Sequence, residues 1–507
     1  MSREEREFDM FRNFSENFLF FLKQNWVLLI ILLIGLHLRT YQSVQWLNHG
    51  HDQDLAGWII KDIVENKHLR LIGQETSTQG VFIGPLFYYL LVPFYIFFNM
   101  SPVGGIWMMT LIGLLTIYSI YYVFNNLFNK SVGLWASFFY SISYFAVSND
   151  RGVFPTSPML LWCIWYFFGI KKIIDGKHLQ GFFVVGILVG LIWHIHVSLA
   201  LLLPLIAVAI ILARIKPRLK EIFIGFLSFL LTSAPFFIFE FRHNFIQIKS
   251  LVNAFSADQG STYEGLAQFY RVLHISAQNI TTLVWHPDSS FYYLLPLFLV
   301  FASVYLFRKK VLDKSLIIIF LLWNLFLILF FSLYSKPVSE YYLNGLVFPW
   351  IFIIVLLFNY VWLSKKFRIL GLILALIFAF HNINRLYSFK PAGIEYVHKL
   401  ALVKEIKKDA YEKGYPCVAV SYITDPGYNL GYRYLFWLEK MHVTKPSKDV
   451  PVYTIVFPLK DIFPTDVNFG SLGLIYPDYD RYDQDGVLDR CKGPNENITD
   501  TMWGYTD

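Results

Sequence analysis

Charge is what this sequence is short of. Only 16% of its 507 residues are Asp, Glu, Lys or Arg, where a soluble domain carries about 25%. The deficit runs through most of the chain and is matched by 56% hydrophobic and 19% aromatic residues and a mean hydropathy of +0.47. A soluble enzyme is thereby excluded, and lipid becomes the solvent for most of the chain. Cysteine is scarce as well. Cys163 lies in an apolar run, where it serves as a small hydrophobe. Cys417 and Cys491 fall in a polar C-terminal region and would pair there if that region faces an oxidising compartment. The net charge of +7 does not point to nucleic acid, because the basic residues stand in short clusters between apolar runs, which is a topology signal. Internal repeats and low-complexity tracts are absent. No cleavable signal peptide is expected: residues 1–25 are polar and carry charges of both signs. The spacing of Phe8, Phe11, Phe14 and Phe18 suits a helix lying on the membrane surface, and equally a solvated leader.

What is present is a series of apolar runs, at about 26–41, 84–99, 103–124, 132–148, 158–174, 181–195, 198–213, 221–239, 291–307, 315–334, 341–363 and 368–385. Their connections are of two kinds. Short basic ones hold Lys130; Lys171, Lys172 and Lys177; Arg214, Lys216, Arg218 and Lys220; Arg308, Lys309, Lys310 and Lys314; Lys365, Lys366 and Arg368. Longer ones, mixed in charge and aromatic, cover 42–83, 149–157, 240–290 and 335–340. The positive-inside rule assigns the basic kind to the cytoplasm. Alternation then holds from 103 onward only if 84–99 does not span. That run contains Pro85 and Pro93 and is short, so it reads as a re-entrant or interfacial helix of the first outer loop, 42–102. The expected fold is a polytopic α-helical membrane domain over 26–385 with about eleven transmembrane helices. Its N-terminus would be cytoplasmic and its C-terminus outside, in the plasma (inner) membrane. Residues 386–507 turn polar, with helical pattern at Ile394–Lys413 and β-like runs at Cys417–Tyr422 and Val452–Val456, and predict a small extracytoplasmic α/β domain.

Candidate chemistry collects in the outer connections. Asp52 and Asp54 follow the first span, and on a helical turn they point in different directions, so one can act while the other positions it. A carboxylate beside apolar lipid has a raised pKa, which suits a general base. Either acid could instead cap the helix that begins at Leu55. Tyr88 and Tyr89, after Gly84-Pro85, read as substrate contacts or interfacial anchors. Asp150 and Arg151 would make a salt bridge, unless the planar fork of Arg151 grips a lipid phosphate. His194 and His196 stand two apart and share no helix face, which makes a poor metal pair; His196 is the better candidate for hydrogen bonding to substrate. Arg242 and Lys336 are further phosphate candidates, and Glu340 is an acid beside the latter. The acidic stretch Asp478–Asp489 partly fits a calcium loop, but Arg481 stands where the pattern wants its first Asp and Lys492 where it wants Glu; an ordinary acidic turn is the alternative.

Asp52-Gln53 after the first span, Gly84-Pro85-Leu86-Phe87-Tyr88-Tyr89 at the end of the loop, Asn149-Asp150-Arg151 and a boundary His196 occur in an order that resembles glycosyltransferase family 39. This is the group of protein O-mannosyltransferases and lipid A aminoarabinose transferases within the GT-C superfamily. The resemblance covers residues 26 to about 385. It implies a first outer loop with non-spanning helices, a catalytic base at Asp52 with Asp54 second, and a further acid at Asp150. The implied reaction moves a sugar from a polyprenyl-phosphate donor to a hydroxyl of a lipid, glycan or protein acceptor, with inversion. Arg151, Arg242 and Lys336 would meet the leaving phosphate. Because the superfamily includes metal-dependent and metal-independent enzymes, a divalent cation is left open as a cofactor, with no metal ligands assigned. Gln53 stands where many relatives have Glu, and Gly84 where they often have a basic residue. The rival readings are a transporter or lipid flippase, disfavoured by the lack of inverted repeats and mid-span charges, and a scaffold built on the tail domain.

Overall fold

The computed structural model describes residues 24–76, 78–256, 265–285, 291–334, 338–459 and 462–497. The expected N-terminal surface helix lies outside them. The first apolar run is α1 (Gln24–Thr40), and the first long loop contains α2 (His51–Glu65) and α3 (Leu86–Phe97). Next comes α4 (Val103–Leu127). The run 132–148, expected as one element, is two helices, α5 (Lys130–Ile142) and α6 (Tyr144–Arg151). They part at Ser143, whose ψ of 123° is extended, and the freed N–H of Tyr144 is taken by Asn382 Oδ1 at 2.9 Å. After α7 (Met159–Ile174) and α8 (His178–Ile195), a 3-10 turn over Val197–Leu202 leads into α9 (Pro204–Leu212). Then α10 (Leu219–Thr232) and α11 (Ala234–Arg242) meet at a 61° bend.

Residues 240–290, which read in the sequence only as a mixed connection, hold α12 (Ile246–Ser256) and α13 (Leu266–Thr282). The second of these sinks Val272, Ile275 and Ile280 into the helical core. The helical part closes with α14 (Leu294–Arg308), α15 (Lys314–Leu333), a 3-10 turn at Glu340–Leu343 running into α16 (Asn344–Leu363), and α17 (Arg368–Tyr387). Among the described residues five helices are long and apolar enough to cross a membrane, namely α4, α8, α15, α16 with its leading turn, and α17; the bent α10–α11 pair makes a sixth. α3 has 12 residues, about 18 Å at 1.5 Å per residue, which is short of a hydrocarbon core of about 30 Å. Helices α8 and α10 meet backbone to backbone: a Cβ on Gly186 would lie 2.1 Å from the carbonyl oxygen of Gly225, the close approach that small residues permit between apolar helices.

The tail comprises α18 (Tyr396–Glu412), β1 (Val418–Thr424), α19 (Arg433–Leu438), β2 (Val443–Thr444), β3 (Val452–Phe457), β4 (Val467–Phe469), β5 (Leu472–Ile475) and α20 (Gln484–Arg490). The sheet order is β2-β1-β3-β5-β4, parallel across β2, β1 and β3 and antiparallel across β3, β5 and β4. Cys417 and Cys491 are joined in a disulfide with Cα atoms 5.5 Å apart, closing the start of β1 onto the end of α20. The acidic stretch compared with a calcium loop is a helix start, in which Asp483 accepts the N–H of Gly486 at 3.0 Å. Two large apolar cores and two small clusters form among the described residues. One large core lies among the spanning helices, and the other is shared by α2, α3, the adjoining end of α4 and the tail domain.

Candidate active site

Helix α2 starts where its backbone is satisfied. Gln53 Oε1 accepts the N–H of Gly50 at 2.9 Å, and Gln53 Nε2 donates to the carbonyl of Val153 at 3.1 Å. The cap is therefore built by Gly50 and Gln53; neither Asp52 nor Asp54 performs it. Two residues apart on a helix, the two acids point about 200° from one another. Asp52 lines a cavity of about 690 Å³. Asp54 is buried on the opposite face, where its Oδ1 accepts the N–H of Tyr434 at 2.9 Å. Asp54, the second expected base, is thus turned away from the cavity.

The cavity is walled by aromatic and aliphatic side chains such as Phe154, Trp193, Leu201 and Phe330, and its polar lining includes Asp52, Gln74, Glu75, Asn149, His196 and Tyr341. Burial raises the pKa of the Asp52 carboxyl, opposed by the nearby His51 and by a hydrogen bond from the Gln74 side chain. The Gln74 amide is itself oriented. The buried Tyr88 hydroxyl donates to Gln74 Oε1 at 3.1 Å and accepts the Gln74 N–H at 3.2 Å. The loop that carries Gln74 is anchored at both ends. A Cβ on Gly73 would lie 2.1 Å from the Tyr88 ring, and one on Gly84 would lie 2.3 Å from His194 Nδ1. His194 accepts the N–H of Leu86 at 3.3 Å through Nδ1 and meets the Thr232 carbonyl at 3.1 Å through Nε2. Also lining the cavity, His196 accepts the N–H of Ser198 through Nδ1 at 3.2 Å. Burial lowers the imidazole pKa to about 4. The ring is then neutral with its proton on Nε2, a donor for whatever fills the cavity.

The other expected residues sit elsewhere. Asp150 is not paired with Arg151. It is fully buried, bonded by Arg39 at 2.6 and 2.9 Å and by the Tyr140 hydroxyl at 2.9 Å, because Arg39 enters from α1 and fills the space over Gly113. Arg151 caps α1, giving its N–H groups to the carbonyls of Leu38 (Nε, 3.1 Å) and Tyr41 (Nη2, 2.6 Å), and lies 4.5 Å over the Trp46 ring. Arg242 is exposed at the end of α11 and does not line the cavity, and neither does the exposed Glu340. Tyr88 positions Gln74, and Tyr89 donates to the carbonyl of Arg70 at 3.0 Å. Lys336 lies outside the described residues. Glu240 accepts the N–H groups of Gln247 (3.3 Å) and Ile248 (3.2 Å), as the N-terminal cap of α12. Among the described residues no group of three or more His, Cys, Asp or Glu is arranged to hold a metal ion. Sequence reasoning did not single out Gln74, Glu75 or Tyr341 as site residues.

Residues 83–239 match the family described as dolichyl-phosphate-mannose-protein mannosyltransferase. The fold is shared with ArnT from Cupriavidus metallidurans. Its structure bound to undecaprenyl phosphate has a TM-score of 0.60 at 11% identity, covering 90% of this chain and 99% of that one. The apo structure of the same protein gives 0.55 at 10% identity, with coverage of 91% and 99%. The archaeal oligosaccharyltransferase AglB from Archaeoglobus fulgidus, in complex with an inhibitory peptide and a dolichol-phosphate, is a looser likeness, with a TM-score of 0.45 at 12% identity over 86% of this chain and 70% of that one. No curated protein matches the sequence.

Proposed function

From the fold shared with ArnT and the family match over residues 83–239, we propose that the chain is a multi-pass membrane glycosyltransferase of the GT-C superfamily that transfers a sugar from a polyprenyl-phosphate donor to a hydroxyl of a lipid, glycan or protein acceptor. The observation that carries this reading is Asp52, a half-buried carboxylate with a raised pKa lining a cavity whose walls are mostly apolar. Asp52 is the general base: it takes the proton of the acceptor hydroxyl as that oxygen attacks the anomeric carbon. The bond from that carbon to the lipid phosphate breaks on the opposite face, and the phosphate leaves with the electron pair, so configuration inverts. The apolar walls suit the isoprenoid chain. His196 Nε2–H and Tyr341 donate to the departing phosphate. No Lys or Arg lines the cavity among the described residues, so the compensating positive charge is assigned to Lys336, close in sequence to Tyr341.

In this reading the reaction takes place on the outer face of the plasma membrane, with the N-terminus cytoplasmic and the tail domain extracytoplasmic. The Cys417–Cys491 disulfide accords with that side, since such bonds persist in oxidising compartments. The test is sugar transfer in membranes from a panel of polyprenyl-phosphate sugars, comparing wild type with Asp52→Asn. Transfer by wild type and its loss in a folded Asp52→Asn protein supports the proposal. Absence of turnover with every donor removes it, and full activity of the variant removes Asp52 as the base.

A further inference from the structure

Several contacts of the tail domain with the first loop bear on the helix that carries Asp52. The N–H of Tyr396 donates to the carbonyl of Leu47 at 2.9 Å. Lys399 Nζ donates to the carbonyls of His49 at 2.8 Å and Leu430 at 2.9 Å. At Gly431, with φ of +87°, a Cβ would lie 2.6 Å from the His49 oxygen, so only glycine lets the tail backbone come this close to the entry of α2. Past that entry, Asp54 receives the N–H of Tyr434 at the start of α19, the place where a helix wants a carboxylate. One turn on, the Tyr434 ring lies flat on Gly57, 2.7 Å from where a Cβ would stand. Its hydroxyl donates to the carbonyl of Met100 at 2.7 Å, in the turn between α3 and α4. Trp58 closes the contact edge-on to Tyr434 at 6.0 Å. These groups are almost all buried: Lys399 is 5% and Asp54 7% exposed, and Tyr434 is fully enclosed.

We propose that the C-terminal domain is a clamp on the catalytic helix, and that Asp54 is a positioning residue which fixes the rotation and axial setting of α2, and with it the aim of Asp52. Asp52 and Asp54 sit on one rigid turn, so a contact that holds the second fixes the first. Asp54 also interacts electrostatically with the buried Lys399, whose pKa is lowered by burial to about 8 with Asp54 opposing the shift. His49 Nε2 stands 3.8 Å from Asp54 and is kept neutral by its burial. The role requires a hydrogen-bond acceptor at position 54 and no proton transfer there. It rests on the assignment of Asp52 as base.

The test uses the full chain in membranes and compares Asp54→Asn, Asp54→Ala and Lys399→Met with wild type and Asp52→Asn. An Asn retains the acceptor for Tyr434, so Asp54→Asn is expected within about threefold of the wild-type kcat. Asp54→Ala and Lys399→Met are expected to lose about tenfold or more in kcat, with the donor KM within about twofold, as a misaimed group costs rate rather than binding. Hydrogen exchange supplies a readout independent of activity: amides of 51–65 should exchange faster in Asp54→Ala, while those of β1 and β3 stay protected. Where Asp54→Ala yields too little folded protein, Lys399→Met carries the same comparison. Wild-type kcat in both variants overturns the proposal. So does an Asp54→Asn protein as inactive as Asp52→Asn, which would give Asp54 a chemical role. An active Asp52→Asn instead removes the base assignment, a failure distinct from either.

Discussion

The hydroxyl of Tyr88 holds both ends of the Gln74 backbone-to-amide unit, accepting its N–H at 3.2 Å and donating to its Oε1 at 3.1 Å. That arrangement sets which way the amide faces. With Oε1 committed to Tyr88, the Nε2 donors are the ones left for Asp52. Tyr88 therefore acts on the carboxylate through another residue without touching the cavity itself.

Tyr88→Phe should lower kcat by about ten- to a hundredfold while leaving donor KM close to wild type, because Asp52, the proposed base, loses its orienting donor. Removing the hydroxyl also frees Gln74 to turn away, and burial then raises the Asp52 pKa unopposed by that bond. The acid limb of the kcat/KM profile should accordingly move to higher pH. A Tyr88→Phe enzyme with an unmoved limb and full rate would remove the relay.

The pH dependence of the wild type follows from Asp52 directly. Its pKa is raised, chiefly by burial, so transfer should fall with decreasing pH at values above the ordinary carboxylate range of about 4. The sign for stability is the opposite of the usual paired acid. Over the window between the unfolded and folded values, the folded state keeps a proton that the unfolded chain has released, so stability falls as pH rises through it. Asp52→Asn should therefore melt no lower than wild type at neutral pH while losing transfer. Thermal unfolding in detergent, set beside the activity assay, checks both halves.

Arg39 and Asp150 form a buried pair, and breaking such a pair from one side costs about 3–5 kcal/mol because the remaining charge is left uncompensated. Arg39→Met and Asp150→Leu should each lower the melting temperature strongly, and the double variant should recover part of the loss. Additive single effects would mean the two residues are not coupled as the structure places them.

His196 is neutral well above its pKa of about 4, so the rate profile should show no limb near 6.5 from this residue. His196→Gln, which retains a donor, should keep more activity than His196→Ala; kcat and donor KM measured at two pH values on each side of 6.5 decide it.

The tail strands β1 and β3 were legible because Val418–Tyr422 and Val452–Val456 are apolar runs rich in β-branched residues. β4 is three residues long and leaves no pattern. The helix α13 escaped notice because Val272, Ile275 and Ile280 alternate with Arg271, His274 and Gln278, an amphipathic pattern that a search for apolar runs passes over. In the site, Asp52 could be read from its place after the first span. Gln74 could not, since its significance depends on Tyr88 fourteen positions later and on a carboxylate twenty-two positions earlier. The pairing of Asp150 was misread for a similar reason: Arg151 is its neighbour in sequence, and Arg39, 111 residues away, is its partner in space.

Asp54 and Tyr434 are separated by 380 residues. Synthesis at about 5–20 residues per second spans that interval in roughly twenty seconds to over a minute. For all of that time α2 has been made but lacks the surface that covers Trp58 and Ile59, and a nascent chain released early never acquires it. Assembly order thus sets when the site can be complete: on the reading that Asp52 is the base, its helix gains the Tyr434 contact only after residue 434 has been made, and a chain cut short of that residue would lack it.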